Sequence, residues 1–157
     1  MQPYNPSVSE TNNSRQATGR ILALDVGSRR IGLAVSDSLG ITAQPLETLN
    51  RHNRRADFAE LKKVLKQHDV AEIVLGNPLN MSGEPGAQAA KIAEFAEELR
   101  SRFGIPVHLF DERLTSAEAH RFLDDSGHSK DRFERKGKVD RIAAVLILQG
   151  FMESRRS

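Results

Sequence analysis

The chain has 157 residues, the size of one ordinary domain, with a formal net charge of +2 and 38% hydrophobic residues. This balance fits a globular domain and excludes fibrous and wholly disordered chains. Cysteine is absent, which excludes disulfides, thiolate zinc sites and cysteine nucleophiles. No apolar run is long enough to span a bilayer. Residues 1–18 are rich in Asn, Ser, Gln and Pro and lack the apolar core of a secretory signal. They read as a disordered leader, ahead of a single domain over 19–152 and a short tail at 153–157, and the expected compartment is the cytoplasm. Basic residues gather at Arg29-Arg30, at Arg51 with Arg54-Arg55, and from Lys130 to Lys138. On charge alone, solvated surface explains these groups better than a polyanion-binding face.

Arg20 to Val26 (R-I-L-A-L-D-V) is almost continuously apolar around one aspartate, the pattern of a strand buried on both faces. Gly27 to Arg30 supplies a turn, and Ile31 to Ser36 alternates large and small residues with period two, so the two segments form a hairpin. Thr42 to Leu49 is a third extended segment, whose Pro45 suits an edge strand. Asp57 to His68 sets Phe58, Leu61, Val64, Leu65 and His68 on one helical face. Glu72 to Gly76 is a short buried strand that ends in the turn-rich run Asn77 to Gly83.

Helical spacing resumes after Pro85 in Ile92, Phe95, Ala96, Leu99 and Phe103, and Gly104 with Pro106 stops it. Val107 to Phe110 is the next strand. Thr115-Ser116-Ala117-Glu118 matches a capping box that opens a further helix. Gly127 to Gly137 reads as a polar mobile loop, and Val139 to Phe151 as a well-buried final helix. The order β-β-β-α-β-α-β-α-α implies an α/β domain, a mixed sheet flanked by helices.

Three acidic positions stand out, one of them a pair. Asp25 lies inside an apolar strand, where an ionised carboxylate is costly unless a cation, a metal or several donors compensate it; hydrogen bonds from the following turn are the plain alternative. Gly27 allows a close approach to the backbone there. Asp111-Glu112 follow a strand, beyond whose carboxyl end ligand sites of such sheets lie. Period two sends the pair to opposite faces, and the pattern does not choose between them. Asp140 falls near the expected start of the last helix, where the helix dipole alone favours an acid. Together the three suit a hard, oxygen-liking cation, magnesium or manganese. The 5 histidines show no metal-ligand spacing, and neither a phosphate-binding P-loop nor a G-x-S-x-G nucleophile motif occurs.

Four ordered segments, L-A-L-D-V-G-S-R-R-I-G-L-A-V-S-D (22–37), I-V-L-G-N-P-L-N-M-S-G (73–83), D-E-R-L-T-S-A-E-A (111–119) and K-V-D-R-I-A-A-V-L-I-L-Q (138–149), resemble the YqgF/RuvX family. The family is described as pre-16S rRNA nucleases or Holliday-junction-resolvase-like proteins. The resemblance covers residues 19 to 152, with Asn77 and Ser116 as small departures from the pattern. It implies a ribonuclease-H-like fold with a mixed five-stranded sheet whose first three strands are antiparallel. It implies metal-dependent phosphodiester hydrolysis with Asp25, Glu112 and Asp140 as catalytic, metal-holding acids, and it picks Glu112 over Asp111. The expected substrate is precursor 16S rRNA, with pre-ribosomal particles as possible partners, a monomer or homodimer as the assembly and no membrane. A resolvase acting on branched DNA and a ribosome-assembly RNA-binding factor with little turnover are the alternatives. Arg29, Arg30, Asn80, Ser82, Gly83, Arg113, Lys136 and Lys138 are the expected nucleic-acid contacts. A nucleotide-binding module of the sugar-kinase type also carries D-x-G, but needs a duplicated domain for which this chain is too short.

Overall fold

The computed structural model describes residues 19–78, 86–111 and 132–156, with the backbone alone over 132–141. The described strands are β1 (Arg20–Val26), β2 (Arg30–Ser36), β3 (Ala43–Asn50), β4 (Val70–Asn77) and β5 (Val107–Asp111). The helices are α1 (Arg54–Gln67), α2 (Ala87–Phe103) and α3 (Arg132–Arg156). The strands form one sheet in the order β3-β2-β1-β4-β5. β1 is antiparallel to β2, β2 to β3, and β1, β4 and β5 run parallel. This is the mixed sheet that the sequence and the family resemblance implied.

The central place of β1 explains its apolar run. Leu22 and Leu24 point with Ile31, Leu33, Ile73, Leu75 and Val107 into a core closed by Phe58 and Leu61 of α1 and by Ile92, Phe95 and Leu99 of α2. Ile21 and Ala23 point the other way, with Ala34 and Val74, onto Ala144, Ile147, Leu148, Phe151 and Met152 of α3. The large-small alternation in β2 therefore has a packing meaning: large residues meet two helices, and Ala34 lets one long helix lie close. Pro45 sits in β3, an edge strand as expected, where its missing N–H breaks no inner ladder.

Two helix boundaries differ from the sequence expectation. α1 begins at Arg54 rather than Asp57, because Asn53 caps it by accepting a hydrogen bond from the Ala56 amide at 2.8 Å. The first residues after the cap are polar, so hydrophobic spacing does not register them. α3 begins at Arg132, inside the stretch expected to be a mobile loop, and runs through the expected tail to Arg156. Apolar periodicity reports the packed middle of a helix; good helix formers such as Arg, Glu and Lys carry it outward at both ends. The α2 stop matches expectation: Gly104 takes φ 67° and its amide bonds the Arg100 carbonyl at 2.9 Å. The helix expected from Thr115 lies outside the described residues.

α3 runs counter to β4 and β5. A Cβ on Gly150 would lie 2.7 Å from the Phe110 ring, so the helix backbone rests on that ring. One residue on, Phe151 and His108 stack with ring centroids 5.0 Å apart. At the end, Arg155 holds both oxygens of Glu72 at 2.8 Å, and His108 Nε2 lies 3.0 Å from the same carboxylate. The last turns of α3 thus lie toward the starts of β4 and β5, and its earlier turns lead toward their carboxyl ends.

Burial of Glu72 works to raise its pKa, but the bonds from Arg155 and His108 outweigh it and leave the carboxyl below its ordinary 4.5. A carboxylate depressed in the folded state stabilises fully above the unfolded value and loses that contribution as pH falls through the folded one. Urea midpoints of the native chain should therefore drop as the pH is lowered below 4.5, and less steeply in Glu72→Gln. Equal slopes for the two proteins would show that this cluster does not tie α3 to the sheet.

Candidate active site

The parallel strands end together. Asn77 of β4 pairs with Asp111 of β5, and Leu24 of β1 is in register with Leu75, which brings Val26 level with Asn77. Ligands of such sheets bind beyond this edge. Asp25 is the penultimate residue of β1 and half-buried, so its carboxylate sits at the rim and not in the dry middle of the strand. It continues the Ile21, Ala23 series and so belongs to the face covered by α3. Its cross-strand neighbour is Gly32, which has no side chain to compete for that face.

Strand alternation separates Asp111 from Asp25. Phe110 packs into the cluster beneath α3, so Asp111 takes the opposite face, alongside its partner Asn77. The Asn77 side-chain oxygen is buried there and finds no hydrogen-bond partner among the described residues. Glu112 lies outside the described residues, as do Asn80, Ser82, Gly83 and Arg113. Asp140, Lys136 and Lys138 belong to the α3 backbone, and their side chains are outside the description. Because α3 begins at Arg132, Asp140 stands eight residues into the helix rather than near its start. The dipole of a helix end falls off within its first turn, so that plain account of Asp140 is lost. Helical spacing puts position 140 on one stripe with Ala144, Ile147 and Phe151, all of which are buried against the sheet. Among the described residues no three Asp, Glu or His side chains gather as a metal group, and Asp25 is the one proposed ligand whose side chain is described.

The turn after Asp25 is held by a network that sequence reasoning missed. The Gly27 amide donates to the Arg30 carbonyl at 2.8 Å, and a Cβ on Gly27 would lie 3.0 Å from that oxygen. The close approach that this glycine permits is therefore its own turn's. From the end of β3, the Arg51 amide bonds the Arg29 carbonyl at 2.8 Å and the Arg51 guanidinium bonds the Gly27 carbonyl at 2.8 Å. The same guanidinium pairs with Asp57 at 3.3 Å, whose other oxygen accepts the His52 amide at 2.9 Å. Asp57 is only 3% exposed. A sequence signal existed: position 57 lies on the apolar stripe of α1 with Leu61 and Val64, so an acid there had to be buried and needed a partner. Arg29 is exposed and Arg30 half-buried beside this network.

A family model described as "RuvX: Holliday junction resolvase" matches residues 19–154. The chain belongs to the RuvX family. A relative from Koribacter versatilis (strain Ellin345), named "Putative pre-16S rRNA nuclease", is 54% identical over 138 residues, covering 87% of this chain and 88% of its own. A relative of the same name from Clostridium novyi (strain NT) is 47% identical over 135 residues, covering 86% and 98%. Among solved structures, T. thermophilus RuvC in complex with Holliday junction substrate aligns with TM-score 0.52 at 14% identity, covering 88% of this chain and 96% of that one. Fowlpox virus resolvase in complex with Holliday junction DNA aligns at 0.53, also at 14% identity, covering 88% and 99%. At that identity the likeness establishes a shared fold, which is ribonuclease-H-like.

In this RuvX-family domain, Asp57 holds the arginine that bonds the turn. Asp57→Ala would take the carboxylate from the His52 amide and leave the Arg51 guanidinium to the Gly27 carbonyl and solvent. Loss of one partner of a fully buried pair costs about 3–5 kcal/mol, and partial exposure of Arg51 reduces this to about 1–3 kcal/mol. Urea unfolding of the purified variant measures it, and a loss below about 0.5 kcal/mol would remove Asp57 as the anchor.

Proposed function

We propose that this member of a nuclease family hydrolyses phosphodiester bonds of precursor 16S rRNA near its 5′ end, in a divalent-metal-dependent reaction in the cytoplasm. Asp25, Glu112 and Asp140 are the proposed catalytic, metal-holding residues. The observation that carries the reading is the placement of Asp25: a half-buried carboxylate at the carboxyl rim of the central strand, on the side where α3 lies. Two further observations support its partners. Asp111 is on the wrong face, which favours its neighbour Glu112 by alternation. Position 140 shares the sheet-facing stripe of α3, in the turns that lead toward the same rim.

All the proposed donors are carboxylate oxygens, the set that hard cations such as magnesium or manganese take in preference to softer metals. Such an ion supplies charge stabilisation at the phosphoryl oxygens when bound. Arg29 and Arg30, on the turn that Arg51 holds, bind backbone phosphates next to the reacting one. Asn80, Ser82, Gly83, Arg113, Lys136 and Lys138 complete the nucleic-acid contacts, with Arg113 suited to bidentate phosphate binding. The names of the curated relatives support precursor rRNA and, with it, pre-ribosomal particles as the setting. Branched DNA is the second reading, favoured by the family description and by the resolvases that share the fold; a two-fold junction calls for a homodimer, whereas an rRNA end is open to a monomer.

The deciding experiment offers precursor-rRNA ends, single-stranded RNA and four-way DNA junctions to the purified chain with magnesium or manganese. Cleavage of the rRNA precursor is expected, with Asp25→Asn slowing it by about 100-fold or more while thermal unfolding barely changes. Undiminished cleavage by Asp25→Asn would sink the assignment. Preferential cutting of junctions would transfer it to the resolvase reading, and binding without turnover to an assembly factor.

A further inference from the structure

On the other side of the Gly27–Arg30 turn lies a cleft of about 730 Å³ between the turn, the start of α1 and the start of α2. Val26 lines it, whereas Asp25, the preceding residue, belongs to the α3 face. One turn therefore separates the proposed reaction centre from this cleft. Four cations line it, Arg29, Arg51, Arg54 and Lys91, against two acids, Asp57 and Glu94. The Arg51–Asp57 pair removes one cation together with one acid, and Glu98 beside the cleft engages Arg54, which leaves Arg29 and Lys91 against Glu94. Asp57 is spent on Arg51 and the His52 amide at the base of the cleft. Arg54 pairs with Glu98 at 2.8 Å but stays 63% exposed, which leaves other guanidinium N–H groups for a ligand. Gln88 and Lys91 enter from the first turns of α2.

We propose that this cleft is a second polyanion seat, a track for the phosphodiester backbone of a single nucleic-acid strand as it leaves the Asp25 rim. Arg54 and Lys91 contact its phosphates, Gln88 adds a neutral hydrogen-bonding contact, and Arg51 serves as a positioning residue that shapes the turn between the two sites. The cleft has the volume of a small-ligand pocket, the scale of a few nucleotides of one strand. The inference rests on the nucleic-acid reading above and extends it to a face that the acids do not occupy.

The test is fluorescence anisotropy of a labelled single-stranded RNA with the full chain in EDTA, repeated over a salt series. Reversing both cations in one variant, Arg54→Glu with Lys91→Glu, should weaken binding by about tenfold. It should also make the slope of log K against log salt shallower by about 1.4, since each lost single-strand phosphate contact removes about 0.7. Circular dichroism should match the native chain, and the unfolding midpoint should fall only slightly with the loss of the exposed Arg54–Glu98 pair. Glu94→Gln, which removes the acid not committed to Arg51, should tighten binding about twofold and keeps the proposal testable if the double variant folds poorly. Native affinity and salt slope in a folded double variant would overturn the cleft. If Asp25→Asn still abolished cleavage in that case, the nuclease reading would stand without it. A native chain that neither bound nor cut any nucleic acid would overturn both.

Discussion

The fold depends on a strand that must be apolar on both faces and yet present a charge at one end. β1 lies between β2 and β4, with two helices over one face and a third over the other, so Ile21 to Leu24 are all buried. A full charge among them would carry a desolvation penalty of several kcal/mol without a partner. Asp25 avoids most of that penalty by its position one residue from the strand end, where it is half-buried. The site is placed where the sheet ceases to exclude water, and the parallel neighbours β4 and β5 stop at the same level. An acid two residues earlier would be a core defect; at this rim it keeps contact with water.

The turn beyond Asp25 shows how a loop in a functional position is made stiff. Its own ladder supplies one short bond, from Gly27 to Arg30. The rest comes from distant chain: Arg51 leaves β3, satisfies two carbonyls of the turn and is held by a carboxylate from α1. The guanidinium also lies 5.6 Å from the centre of the Phe95 ring of α2. A planar fork with fixed donor directions can serve the carboxylate and the carbonyl together, which a lysine ammonium on a flexible stem does less well. Strand, turn and both helices of that face therefore share one electrostatic joint, and Arg29 projects from the stiffened segment.

What could be read in advance follows a physical division. Local pattern was legible: the hairpin, the edge role of Pro45, the Gly104 stop and the large-small alternation of β2 each depend on neighbours in sequence. Helix ends were less so. Asn53 caps α1 ahead of two arginines, and α3 reaches back to Arg132 through residues that no hydrophobic period marks. The Arg51–Asp57 pair was missed for a related reason, since its other contacts, to Gly27 and Arg29, span the hairpin and are set by tertiary folding. The missed clue was a carboxylate on an apolar stripe, the same kind of anomaly that drew attention to Asp25.

The acids themselves show how fold geometry sharpens a chemical guess. Alternation alone said that Asp111 and Glu112 face apart, without saying which faces the site; the packing of Phe110 beneath α3 assigns Asp111 to the far side. Asp140 moved in the same direction for a different reason. As a first-turn acid it had a sufficient explanation in the helix dipole. Eight residues into α3 it has none of that kind, and it sits on a stripe whose later members are all buried. Asp25 and position 140 both lie on the α3 side of the sheet, and that shared side is the ground on which one cation is proposed for the two acids.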